Sequence, residues 1–187
     1  MKRLISIDAS TVGTGVAVFK ILKNGYSLEN IHFIEDKRTR SKSKKLTKKE
    51  QKELRHKITY ERILYMITEI YALLDKYKPQ KIIIEDVYGG KDMYAFKMLS
   101  RFHGAMLGYA LSHGIEIDFR LPSNWRKAVD IPLSDGKRKY KRDELKKLAV
   151  KKVKEEFGIT VNNDMADAIC IGLSELREGD RNEKICK

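Results

Sequence analysis

The sequence predicts an α/β domain, a mixed sheet of five strands with helices packed outside it, and three observations carry that reading. Short β-prone runs follow one another closely at the start of the chain. Later apolar runs alternate with stripes at helical spacing, and Gly, Pro or Asn-Gly punctuates the junctions. With 187 residues, 42% of them hydrophobic, one domain spanning 1–187 is long enough to bury its own core.

Residues 4–7 are apolar and β-prone, a turn over 8–15 follows, and 16–21 resumes as a second strand. Asn24-Gly25 marks the next turn and 28–34 the third strand, so the opening is an antiparallel meander. Tyr60, Ile63, Leu64, Ile67, Ile70, Tyr71, Leu74 and Tyr77 recur at three- and four-residue steps, the stripe of an amphipathic helix that Pro79 closes. The apolar run KIIIEDVY, 81–88, reads as a central buried strand ending near Glu85. Met98, Leu99, Phe102, Ala105, Met106, Tyr109 and His113 mark a second helix stopped by Gly114, and 115–121 is the fifth strand. A connector from Pro122 carries Trp125 and a basic run; a helix over 143–157 ends at Gly158, and residues 162–164 cap the last helix. The predicted order is βββ-α-β-α-β-α-α, with a frayed polar tail from 177.

Charge narrows the partner. Thirty-nine Lys and Arg against 26 Asp and Glu leave a net charge of +13, a field that suits a polyphosphate, with simple solubility or an anionic membrane surface as the alternatives. The segment 36–57, DKRTRSKSKKLTKKEQKELRHK, is almost devoid of apolar residues and is expected to be a mobile basic loop leading into exposed helical turns. Its Lys44, Lys45, Lys48 and Lys49 are candidate phosphate contacts. Cys170 and Cys186 lack the paired spacing of a zinc site and are expected to be ordinary thiols. No apolar run is long enough to span a bilayer, and MKRLISIDAS lacks a secretory apolar stretch, so a reduced cytoplasmic setting is expected.

Candidate chemistry rests on carboxylates. Asp8 ends the first strand within IDASTVGTGVAVF; alone it could be a turn former. Glu85 at the end of KIIIE would be costly to desolvate without a cation or hydrogen-bond partner. If the two strands are neighbours these acids lie side by side, whereas Asp86 points to the opposite face. Asp164 and Asp167 in NNDMADAICIG share one face of a helical first turn, with Cβ atoms roughly 5–6 Å apart. Helix capping could account for Asp164, but Asp167 stands in an apolar neighbourhood. Four carboxylates without His or Cys describe a hard oxygen site suited to Mg²⁺, with Mn²⁺ able to substitute. Two such ions, roughly 3.5–4 Å apart, would support hydrolysis of a phosphodiester.

IDAS-TVGTGVAVF, IIIEDVY, LPSNWRKAV and NNDMADAICIG, which span nearly the whole chain, resemble the RuvC-type Holliday junction resolvases of the RNase H-like superfamily, particularly phage versions. The resemblance implies an RNase H-like sheet of three antiparallel strands followed by parallel ones. It further implies a homodimer and Mg²⁺-dependent symmetric nicking of branched, four-way DNA, with Asp8, Glu85, Asp164 and Asp167 as the metal-binding catalytic acids. Tyr88 stands where such enzymes place a junction-wedging aromatic, and stacking on a base is an alternative to packing on protein. Lys137, Arg138, Lys139, Lys141 and Arg142 fall where the family carries lysines near the scissile phosphate. The basic 36–57 segment is longer than its cellular counterpart. His103, His113 and Trp125 are expected to be structural.

Other readings compete. The same scaffold can carry a nuclease for RNA/DNA hybrids or flaps, and charge alone allows a non-catalytic DNA-binding module. The IDASTVGTG opening also resembles the phosphate loop of actin-like kinases, but that function needs a second loop and a longer chain. No small-molecule substrate and no membrane partner are expected.

Overall fold

The computed structural model describes residues 2–36, 46–87 and 92–185, with side chains described as far as 178. Three long strands open the chain: β1 (Lys2–Ala9), β2 (Gly13–Leu22) and β3 (Gly25–Glu35). They form the expected antiparallel meander, each strand running beyond its predicted apolar core because pairing with its neighbour satisfies the flanking backbone as well. Next come α1 (Lys48–Tyr77), β4 (Lys81–Glu85), α2 (Met93–His113) and β5 (Glu116–Arg120), followed by α3 (Pro122–Ala128), α4 (Arg142–Phe157) and α5 (Asn163–Ile185). The sheet order is β3-β2-β1-β4-β5, with β4 parallel to both β1 and β5. This is the mixed five-stranded sheet the sequence predicts.

Strand alternation divides the core in two. Ile5, Ile7, Val16, Val18, Ile82 and Ile84 face α1 and α2, whereas Leu4, Ala17, Phe19 and Ile83 face α3, α4 and α5. The helices on the first face begin and end on local signals. Thr47 and Glu50 cap α1 reciprocally, Thr47 N–H donating to Glu50 Oε2 at 2.7 Å. Lys78 and Gly114 close α1 and α2 in left-handed backbone.

On the second face α5 lies unusually close to the sheet. Ser6 Oγ, fully buried, donates to the Ala168 carbonyl at 2.7 Å. A Cβ at Gly172 would fall 2.3 Å from Phe19 Cε2 and 2.6 Å from Ser6 Oγ, so only glycine permits the approach.

Three expectations are corrected. The connector around Trp125 is a short helix, α3, started by Pro122 at its first turn; seven residues are too few to print a stripe. Residues from 177 onward do not fray at once, because α5 continues to Ile185. Arg177 pairs with Asp130 and Glu156, and Glu178 with Arg120, anchoring that turn. Tyr60 and Leu64 do not join the core: α1 is apolar over a wider arc than the sheet covers. In the basic segment, 48–57 is the exposed start of α1, while 37–45, and with them Lys44 and Lys45, lie outside the described residues. Among described residues no helix is long and apolar enough to cross a membrane. Cys170 is a buried free thiol and Cys186 lies outside the described residues.

Gly172→Ala is expected to lower stability by about 1–3 kcal/mol, since fully buried Phe19 has no space to yield. Urea unfolding monitored by Trp125 fluorescence measures the loss; an unchanged midpoint would show that α5 can ride higher on the sheet.

Candidate active site

Two strand ends and one helix start meet at a single edge of the sheet. Asp8 shares the α5 face with Leu4 and Ser6, and Glu85 shares it with Ile83, so both acids point toward α5. Ile7 is the partner of Ile84 in the parallel register, which places the next residues on each strand, Asp8 and Glu85, side by side. From β2, Gly15 stands opposite Asp8. A Cβ at Gly15 would lie 2.1 Å from the Asp164 carbonyl oxygen; the bare backbone here lets the first turn of α5 come down beside Asp8. Asn162 Oδ1 accepts from Met165 N–H at 2.8 Å, capping α5 and setting Asp164 and Asp167 on its inner side.

The four acids feel one another. Asp8 is 8% exposed and Asp167 2% exposed. Burial, then the charges of Glu85, Asp167 and Asp164, hold the Asp8 carboxyl well above the ordinary carboxylate range against the pull of Lys146. Asp167 is pushed up to about 7, mainly by burial, with Glu85 and Asp164 adding to it and Arg126 and Lys146 opposing. Glu85 is also raised by burial, although a hydrogen bond from Trp125 and the charges of Arg126, Arg142 and Lys146 hold it back. Such crowding of acids is what an oxygen-ligated cation site demands and what a purely structural site avoids.

The surrounding groups are as informative as the acids. Trp125, fully buried, donates Nε1–H to Glu85 Oε2 at 2.7 Å. Arg126 lies with its guanidinium carbon 4.2 Å from the Trp125 ring centre. Lys146 Nζ donates to Asp164 Oδ1 at 2.5 Å and stands 3.8 Å from Asp167 Oδ2. The other oxygen of Asp167, Oδ1, is buried with no hydrogen-bond partner. An open cavity of about 470 Å³ adjoins the cluster, lined among others by Asp8, Glu85, Asp164, Ser10, Phe96 and Arg142.

The donor set fits a hard divalent ion: oxygen ligands only, more negative charge than the local cations balance, and one buried oxygen still lacking a partner. Among the described residues no three acidic, His or Cys side chains are arranged to clasp an ion as they stand.

The basic candidates divide. Arg142 lines the cavity. Arg138 is held by Glu144 through two bonds of 2.8 and 2.6 Å. Lys137, Lys139 and Lys141 are exposed on the connector before α4, and Lys48 and Lys49 on the first turn of α1. Tyr88 lies outside the described residues. His103 packs against Phe119 and His113 stacks on Tyr109; neither lines the cavity. Lys146 and Arg126 were not singled out from sequence. Lys146 is one helical turn beyond Arg142, a spacing that could have flagged it, and Arg126 stands within the LPSNWRKAV motif. Trp125 anchors its loop as expected, and it also holds Glu85.

A family model described as "Crossover junction endodeoxyribonuclease RuvC" matches residues 4–175. Among solved structures, Thermus thermophilus RuvC in complex with Holliday junction substrate is similar with a TM-score of 0.65 and 15% identity, over 96% of each chain. The yeast mitochondrial Holliday junction resolvase Ydc2 is similar with a TM-score of 0.53 and 16% identity, over 98% of this chain and 82% of that one. At these identities the likeness is one of fold. No curated protein matches the chain.

A raised carboxyl pKa makes the metal-free fold less stable as pH climbs. Between the ordinary 3.8 and about 7, folded Asp167 binds more protons than the unfolded chain does, so its penalty is absent near pH 4 and complete above pH 7. Asp167→Asn is therefore expected to raise the Tm of metal-free protein at pH 8 by roughly 2–8 °C, the gain shrinking toward pH 5. Calorimetry across that range in chelator checks it; a lower Tm at pH 8 would show that the Asp167 charge is already neutralised.

Proposed function

Because the chain belongs to the RuvC family of crossover junction endodeoxyribonucleases, we propose that it resolves Holliday junctions and related branched DNA by paired phosphodiester hydrolysis, using Mg²⁺ bound by Asp8, Glu85, Asp164 and Asp167. The observation that carries this is the convergence of the β1 and β4 ends with the first turn of α5, which gathers four carboxylates beside an open cavity in a protein of net charge +13.

Two ions per site, with Mn²⁺ able to replace Mg²⁺, suit a cluster of this charge. When bound, divalent ions activate the attacking water and stabilise the leaving oxygen. The chain's own groups prepare that chemistry. Trp125 holds one oxygen of Glu85; Arg126 and Lys146 offset part of the acid charge. Arg142, at the cavity wall, stands ready to meet a phosphate. Lys48, Lys49, Lys137, Lys139 and Lys141, on exposed surface, grip the DNA backbone; Lys44 and Lys45 are assigned the same role from sequence, and Tyr88 that of stacking on a junction base.

A homodimer would match the two-fold symmetry of a four-way junction and place a second site for the paired nick. Its support is a stripe on α2, where Leu107 and Leu111 are exposed and Gly104 and Gly108 face open space. A cytoplasmic location, in a bacterium or a phage-infected cell, fits an enzyme whose substrate is DNA.

Incubating the protein and Mg²⁺ with labelled four-way junction, fork, duplex and RNA/DNA hybrid is expected to yield paired nicks in the junction. Asp8→Asn should lose about a hundred-fold or more in rate while binding the junction as tightly or more so. Preferential cutting of the hybrid, or full activity of that variant, would overturn the proposal.

Gly15→Ala tests the geometry with every acid intact. The new methyl meets backbone 2.1 Å away, so the α5 start must shift. A displacement of about 1 Å is expected to cost on the order of a hundred-fold in rate with little change in junction affinity; a fully active variant would show that Asp164 need not lie so close to Asp8.

A further inference from the structure

We propose that Lys146 is the resident cation of the carboxylate cluster: in the metal-free enzyme its ammonium pairs with Asp164 and offsets part of the charge of Asp167, and a divalent ion binds only by displacing it. The inference rests on the metal-site reading above and adds a competitor to it.

Lys146 lies in the body of α4, its side chain only 14% exposed, and reaches across to α5. Its hydrogen bond to Asp164 Oδ1 is 2.5 Å and its distance to Asp167 Oδ2 is 3.8 Å, so one ammonium covers an oxygen of each. Most of the described lysines are exposed. This one is drawn inward, toward the greatest concentration of negative charge.

Two features make it a placeholder. First, its single charge and three N–H donors serve one side of the cluster only, and Asp167 Oδ1 remains buried and unpartnered. Second, the ammonium sits directly on Asp164 Oδ1, so a metal ion bound by Asp164 is brought up against it. A divalent ion within a few ångströms of the ammonium repels it strongly in a poorly solvated site. The four-carbon stem allows the ammonium to swing away without moving α4. Lys146 thus keeps the acids together without metal, and the same contact weakens metal affinity. Arg126 and Arg142 also bear on the cluster. Among the described residues neither makes a hydrogen bond or ion pair to an acid, so neither holds a ligand oxygen as Lys146 does.

The test uses the full chain without DNA and Mn²⁺ alone as probe. Calorimetric titration of wild type, Lys146→Met and Lys146→Arg should show Mn²⁺ bound about ten-fold or more tightly by Lys146→Met, with Lys146→Arg near wild type. Metal-free Lys146→Met should melt below wild type, and saturating Mn²⁺ should close that gap. Equal or weaker Mn²⁺ binding by folded Lys146→Met overturns the inference while leaving the metal site standing. No Mn²⁺ binding by wild type overturns both. If Lys146→Met does not fold without metal, wild type decides: acylation of Lys146, followed by mass spectrometry, should rise several-fold when Mn²⁺ is added, and unchanged labelling overturns displacement.

Discussion

Like-charge repulsion at one edge of the sheet is the constraint on which the rest of this structure turns. Asp8 and Glu85 lie on adjacent strands, and Asp164 and Asp167 come down on them from α5. A buried carboxylate is tolerated only with a cation or donors to meet it. Each unusual neighbour answers that demand: the Trp125 indole on Glu85, the Arg126 guanidinium stacked on Trp125, and the Lys146 ammonium on Asp164. They relieve the repulsion only partly, because Asp8, Glu85 and Asp167 all stay above the ordinary carboxylate range. The unrelieved part is a standing preference for further positive charge.

The fold brings the acids together by simple means. Strand alternation settles which way Asp8 and Glu85 point, and the parallel register of β1 with β4 settles that they are neighbours. α5 adds the remaining pair because small contacts let it approach: Gly15 against its first turn, and Ser6 and Gly172 farther along. A side chain at either glycine would lift the helix, and Asp164 and Asp167 would leave with it. The two glycines therefore belong to the site as much as to the core, although neither carries any chemistry.

Much of this was legible in the sequence. The meander, the apolar strand ending at Glu85, the capped helix carrying Asp164 and Asp167 and the mixed sheet all follow from local patterns. The structure then sets those four acids at one edge. What escaped is what depends on tertiary distance. Lys146 looks like any lysine of a charged helix until α4 is docked on α5; Arg126 looks like a surface arginine until Trp125 is buried. Seven-residue α3 is too short for periodicity, and the outward turn of Tyr60 and Leu64 depends on how much of α1 the sheet can cover. In the sequence Gly15 is only the end of the turn that follows the first strand. In the structure its role is steric, against a helix about 150 residues later in the chain.

The arrangement also explains how a helix can hold repelling charges at its start without detaching. The N-terminal end of α5 carries the positive pole of the helix dipole, which favours Asp164 and Asp167 there. Farther along, the helix is fastened by groups that have no part in the site. Glu175 pairs with Lys81 and Arg120, Glu178 with Arg120, and Arg177 with Asp130 and Glu156. Between the two ends, apolar packing of Ile169, Ile171 and Leu173 fills the core beneath the sheet. Strain at the acidic end is thus resisted by a buried middle and a cross-linked far end. A helix secured in this way can keep its first turn poised in an unfavourable electrostatic state, one that a cation bound there would relieve.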